Sequence, residues 1–259
     1  MKPQTPQELV KLAVEQKLIQ QYLYKYRKID SNLEKILINN EMWFSSPIDF
    51  NDPFDCQIKV DTNNNYNEIF DFLKKNLVDL SIEEIGKISS DLYLNPEKWD
   101  NFVNQSSRET INSNGICCFC SNFDNILLWS HYADNHKGIC LKFDVLKDLD
   151  FFVYPLNIIY QRNYPVFNYL KNKERLTDFL IKTKSDDWSY EREVRVLKFE
   201  KGLHSFRKAA LVEIIFGCKT TDLEIDRIKS LVSSNGYAKT TFKMMKTKDA
   251  EFGLDIIEI

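Results

Sequence analysis

The chain has 259 residues, 43% of them apolar and 13% aromatic, with a formal net charge of −3. That is enough apolar material for a sizeable core, and the nearly balanced charge gives no global pull toward nucleic acid or anionic membrane. Only 7 glycines are present, and no G-x-G-x-x-G or G-K-[ST] stretch occurs, which excludes a glycine-rich phosphate loop. No apolar run approaches the ~20 residues of a membrane span. Residues 1–18 carry charges throughout and show no signal-peptide core, so the expected location is the cytoplasm, where cysteines stay reduced.

Residues 6–18 read as a leading helix. The stretch YLYKY, residues 22–26, alternates aromatic and polar positions as a strand does. In DSNLEKILINN, Ser31 is expected to cap a short helix, with Glu34 at capping-box spacing and Asn39-Asn40 as its end. Residues 42–45 follow as a second short strand. It runs into FNDPFD, where two aromatics, an amide and two acids crowd around a proline. Pro53 lacks a backbone donor and biases Asp52 toward extended geometry, and Asn51 and Asp52 can close an Asx turn. Large aromatics and acids together, directly after a strand, also suit the wall of a binding cleft.

Residues 66–112 show helical periodicity, with Ile69, Phe72, Leu73 and Leu77 on one stripe. They are expected to be a helical insertion in one α+β domain spanning 1–259. GICCFCS and GICLKFD read as strands. Cys117, Cys118 and Cys120 are expected to pack in the first, since their spacing to His131 and His136 matches no common zinc pattern. FFVYPLNIIYQ reads as a strand or strand pair, and residues 169–184 as a helix. YEREVRVLKF is an alternating strand and ALVEIIFGC a buried one. An amphipathic helix over 221–233 and strands over 239–246 and 252–257 close the chain. Helices and strands without strict alternation predict an α+β fold with a mixed, largely antiparallel sheet and flanking helices.

Two further stretches carry candidate chemistry. In LLWSHYADNHKG, Leu128, Trp129 and Tyr132 share a helix face. Trp129 and Tyr132 beside His131 and Lys137 offer a stacking surface and a donor for a flat, charged ligand, and His131 can serve as acid or base. In WSYEREVRVLKF, the period of two points Glu191, Glu193 and Arg195 one way and Tyr190, Arg192, Val194 and Val196 the other. Two carboxylates one strand step apart can stabilise a cationic transition state or hold a sugar hydroxyl.

YKYR, WFSSPIDFNDPFD, CFCSNFDNILLWSHYADNHKGICLKFD, WSYEREVRVL and IIFGCK occur in an order that resembles the bacterial family catalogued as domain of unknown function 2971, over most of residues 22–219. The order Arg27, Ser45-Ser46 and Glu191-x-Glu193 more distantly resembles ADP-ribosyltransferases of the Arg-Ser-Glu type, although the middle threonine of their serine strand is missing. That second resemblance implies NAD as substrate and no metal. It implies that Arg27 contacts phosphate or ribose, and that Ser45, with Ser46 beside it, supports the nicotinamide-ribose pocket. It further implies that Glu193 stabilises the oxocarbenium-like transition state and Glu191 orients or deprotonates the acceptor, with Asn51, Asp52, Trp129, Tyr132 and Lys137 completing the ligand site.

The expected activity is therefore ADP-ribosyl transfer or NAD hydrolysis, in a toxin-like or phage-defence effector. The acceptor is expected to be a protein or nucleic acid, and a neutralising or activating protein is the expected partner. The alternatives are a non-catalytic nucleotide- or ligand-sensing module, and a metal-dependent nuclease using Asp52, Asp55, Glu191 and Glu193.

Overall fold

The computed structural model describes residues 5–57, 59–172 and 175–259. In chain order the elements begin with α1 (Pro6–Glu15), β1 (Tyr22–Arg27), α2 (Ser31–Asn39), β2 (Glu41–Phe44) and β3 (Lys59–Asp61). Three helices follow: α3 (Tyr66–Asn76), α4 (Ile82–Leu94) and α5 (Pro96–Asn112). Next come β4 (Gly115–Cys120), α6 (Ile126–Tyr132), β5 (Ile139–Asp144), β6 (Pro155–Asn157), β7 (Ile159–Gln161) and β8 (Val166–Asn168). The remainder is α7 (Tyr169–Asn172), α8 (Leu176–Lys182), β9 (Thr183–Ser185), β10 (Glu193–Lys198), β11 (Gly202–Ser205), β12 (Leu211–Phe216), α9 (Asp222–Ser234), β13 (Thr241–Thr247) and β14 (Leu254–Glu258).

Eight strands form one sheet in the order β14-β13-β12-β5-β1-β4-β10-β6. Its pairings are antiparallel except β12 with β13, which are parallel and joined through α9. The fold is thus α+β with a largely antiparallel sheet. Side-chain alternation sorts the core onto the two faces. Leu23, Cys117, Phe119, Leu141, Phe143, Val194, Val196 and Ile214 pack on the face covered by α1, α2 and α9. On the other face, Tyr24, Tyr26, Cys140 and Ile215 pack with Leu128 and Trp129 of α6. Further along that second face, Ile116 and Leu197 pack with α3, α4, α5 and α8.

The sheet has a weak seam. β1 and β5 pair at six positions, from Tyr22 with Asp144 to Arg27 with Ile139. β4 and β10 also pair at six. β1 and β4 meet at one, Tyr24 with Cys120. Beyond it the strands splay, and the Lys25 ammonium donates to the Cys118 carbonyl where a ladder amide would otherwise sit. This fissure, between the α6 cluster and the helical segment, is where the chain gathers the buried charges of Asp55, Lys184, Glu191, Glu193 and Arg195.

Three local expectations change. Asp30, not Ser31, caps α2, its carboxylate accepting from the amides of Asn32 and Leu33. Both residue types cap well, and the helix starts one residue earlier than expected. Glu34 pairs with Arg227 instead of closing a capping box. The helix expected over 169–184 is divided into α7 and α8, and Lys184 leaves it for β9. The strand expected to include Tyr190 and Glu191 begins only at Glu193: residues Asp186–Glu191 form a 3-10 turn, and Arg192 takes a left-handed conformation (φ 45°). That reversal ends the alternation between Glu191 and Glu193.

Candidate functional site

The FNDPFD loop, α6, β9 and the start of β10 converge on one hollow in the fissure, about 160 Å³ in volume. Phe50, Asn51 and Asp55 come from the loop, Tyr132 from α6, Lys184 from β9, and Glu191 and Glu193 from the turn and strand. Cys118 and Cys120 of β4 face the same space.

Its floor is a buried ionic cluster. The Arg195 side chain is 0% exposed. It donates to Glu193 (2.7 Å), to Asp55 (2.5 Å), to the carbonyl of Ile181 (2.9 Å) and to the Cys56 sulfur (3.3 Å). The Lys184 ammonium donates to Glu191 at 2.6 Å and Glu193 at 2.8 Å, and lies 3.9 Å from Asp55. Tyr132 donates its hydroxyl to the second oxygen of Glu191 at 2.7 Å. The backbone amide of Glu193 donates to the Tyr160 hydroxyl at 2.7 Å. Three carboxylates thus face two cations, which leaves one negative charge. Such a cluster survives burial only because nearly every oxygen and N–H is paired.

Electrostatics follow the contacts. Burial alone would push the Glu193 carboxyl up, but Arg195 and Lys184 hold it down at about 2, so it is ionised at neutral pH. Burial works against the Lys184 ammonium, yet Glu193 and Glu191 raise its pKa above the ordinary lysine range. Burial, reinforced by Glu191, raises the Tyr132 hydroxyl. Burial also pushes the Cys118 thiol well up, so it is no ready nucleophile.

A second hollow of about 530 Å³ adjoins the first and shares Lys25, Phe50 and Cys118 with it. Arg27, Lys35, Trp43 and Ser45 line it on the α2 side. The buried Nε of Arg27 has no hydrogen-bond partner. Trp43 is 51% exposed.

The residues singled out from the sequence are thus divided. Asn51, Tyr132, Glu191 and Glu193 share the first hollow; Arg27 and Ser45 line the second. Ser46 is buried and donates to the Asn112 carbonyl. Asp52 accepts from the Phe54 amide at 2.9 Å, forming the expected Asx turn, and lines a different hollow. Phe54, one of the two aromatics of the FNDPFD stretch, is 66% exposed. Trp129 offers no stacking face: it is fully enclosed, edge-on to Tyr26, with its indole N–H donating to the Phe123 carbonyl. His131 and Lys137 are exposed and lie outside both hollows. Sequence reasoning did not single out Lys184, Tyr160 or Lys25. Lys184 sits in IKTKSDDW, where nothing local distinguishes it from a surface lysine.

Among the described residues, no group of histidine, cysteine or acidic side chains is arranged to hold a metal ion. Asp55, Glu191 and Glu193 are turned onto Lys184 and Arg195. No helix among the described residues is long and apolar enough to cross a membrane.

No curated protein and no solved structure matches the chain, so neither comparison links it to ADP-ribosyltransferases. Residues 128–196 match the family described as "Protein of unknown function (DUF2971)". That segment carries Tyr132, Lys184, Glu191, Glu193 and Arg195, so the greater part of the ionic cluster lies within the stretch that bears the DUF2971 signature.

Proposed function

We propose that the fissure binds NAD, and that its acidic pair promotes cleavage of the nicotinamide–ribose bond, passing ADP-ribose to water or to a protein or nucleic-acid acceptor. The observation that carries this reading is the polarity of the adjoining hollows. Glu191 and Glu193 stand at one end, Arg27 and Lys35 at the other, with Lys25 and Phe50 shared between the two hollows. A dinucleotide needs those features in that order: an acid for the ribose, then cations for the pyrophosphate. The free Nε of Arg27 is a donor for a phosphate oxygen, and the exposed face of Trp43 can stack on a base.

As the C–N bond breaks, its electron pair leaves with nicotinamide and positive charge builds on the ribose. A fixed carboxylate lowers that barrier. Glu191 suits the role, because each of its oxygens has one protein donor and keeps an acceptor position. It can then take the proton of the attacking water or acceptor hydroxyl. Glu193, held ionised, orients Lys184 and Arg195 beneath it.

The oxygens of both glutamates already have protein partners, which favours a second reading, a sensing module that binds NAD without consuming it. One experiment separates them. Purified protein is incubated with NAD labelled on the adenylate side, and nicotinamide is measured alongside binding. Release that Glu191→Gln abolishes supports the enzyme; binding without release supports the sensor; neither refutes both. Label transfer in cell extract then seeks the acceptor and a neutralising or activating partner protein.

A further inference from the structure

Lys184 lies between two hollows. On one side its ammonium is held by Glu191 and Glu193 at 2.6 and 2.8 Å. On the other, its side chain lines a separate space of about 280 Å³, together with Asp52, Asp187 and Trp188. The ammonium already sits 5.1 Å from the centre of the Trp188 ring. Asp187 accepts one hydrogen bond, from Ser185, and keeps acceptor capacity for a cation. The four-carbon stem of a lysine is flexible enough to reach either side.

The charge balance shows why this matters. With Lys184 in place, three carboxylates face two cations. Without its ammonium, Arg195 alone would balance Asp55, Glu191 and Glu193. The acidic pair is therefore suited to one further positive charge, which the Lys184 ammonium supplies. Cleavage of NAD asks the same two carboxylates to face a different cation: first the pyridinium, then the oxocarbenium ion formed from it. Two cations cannot both occupy the gap between two carboxylates without strong repulsion.

We propose that Lys184 is a displaceable counter-ion. Its ammonium holds the place of the ligand's cationic group between Glu191 and Glu193, and it swings into the neighbouring hollow, against Asp187 and Trp188, when that group binds. The ligand class is thereby narrowed to molecules carrying a positive charge beside a hydroxylated or phosphorylated portion. The resting protein is also held back, since its acidic pair is neutralised until a ligand displaces the lysine. This rests on the fissure being a ligand site, as proposed above, and not on the ligand being NAD.

The test compares oxidised NAD with its reduced form, which has nearly the same shape without the pyridinium charge. Lys184→Met keeps length and removes the cation; Lys184→Arg keeps a cation. Lys184→Met should bind the oxidised form about tenfold or more tighter than wild type, with the reduced form changed by less than about twofold. Lys184→Arg should follow wild type. Equal changes for both forms, or weaker binding of the oxidised form, would overturn the proposal. If Lys184→Met does not fold, Lys184→Gln takes its place.

If neither form binds any of these proteins, the NAD reading fails, and the counter-ion is decided by Lys184→Ala. Its thermal midpoint should rise in propylammonium and not in propanol of equal concentration, with wild type indifferent to both. A midpoint that responds to neither, or to both alike, would overturn the proposal.

Discussion

Replacing Arg195 by methionine removes the guanidinium and keeps much of the volume. The side chain is wholly enclosed, and it pairs with Glu193 and Asp55 while donating to the Ile181 carbonyl. Its loss leaves two buried carboxylates short of a partner, with Lys184 as the one remaining cation of the cluster. Breaking a buried ion pair from one side costs about 3–5 kcal/mol. For a chain of this size that corresponds to a fall in melting temperature of roughly 6–20 °C. Urea unfolding followed by far-ultraviolet circular dichroism measures it, provided the transition is two-state. Asp55→Asn in the same background should restore part of the loss, because it removes one of the orphaned charges. A cost below about 1 kcal/mol, the range of exposed ion pairs, would mean that the cluster is not desolvated as described.

Three other perturbations follow from the same contacts. Glu193 is depressed to about 2 in the folded chain, against about 4.3 unfolded. Its contribution to stability should be complete above about pH 5 and lost as the pH falls toward 2, seen as a falling melting temperature that Glu193→Gln flattens. Tyr132→Phe deletes one donor to Glu191 and should cost about 1–2 kcal/mol in urea unfolding, and it should slow nicotinamide release if Glu191 acts as proposed. Gly138→Ala would set a Cβ 2.2 Å from the Arg27 carbonyl and 2.9 Å from Ala133. The strain should cost about 1–3 kcal/mol in unfolding measurements and weaken NAD binding by shifting the end of β1.

Much of the framework was legible because it depends on local pattern. The alternation in YLYKY and in EVRVLK specifies strands whose faces sort as expected, and the periodicity of residues 66–112 appears as three helices. The FNDPFD loop, Tyr132 and the two glutamates were legible as separate candidates from their residue types, and they line one hollow. How they converge was not legible. Glu191 and Glu193 meet because a left-handed Arg192 turns the chain between them and Lys184 reaches both, and neither feature has a local signal. Trp129 illustrates the opposite failure. Its spacing from Leu128 and Tyr132 marks a helix face but not which end of the face is covered. The sheet encloses Trp129, while Tyr132, one turn later, extends to the cleft. Two adjacent capping residues, Asp30 and Ser31, leave the helix start open by one position.

The decisive measurement is nicotinamide release from NAD by wild-type protein beside Glu191→Gln, with folding of both checked by circular dichroism. The expected result is release by wild type, enhanced by Lys184→Met, and its loss in Glu191→Gln. Equal release by wild type and Glu191→Gln would show that the acidic pair of the fissure is not where the bond is broken.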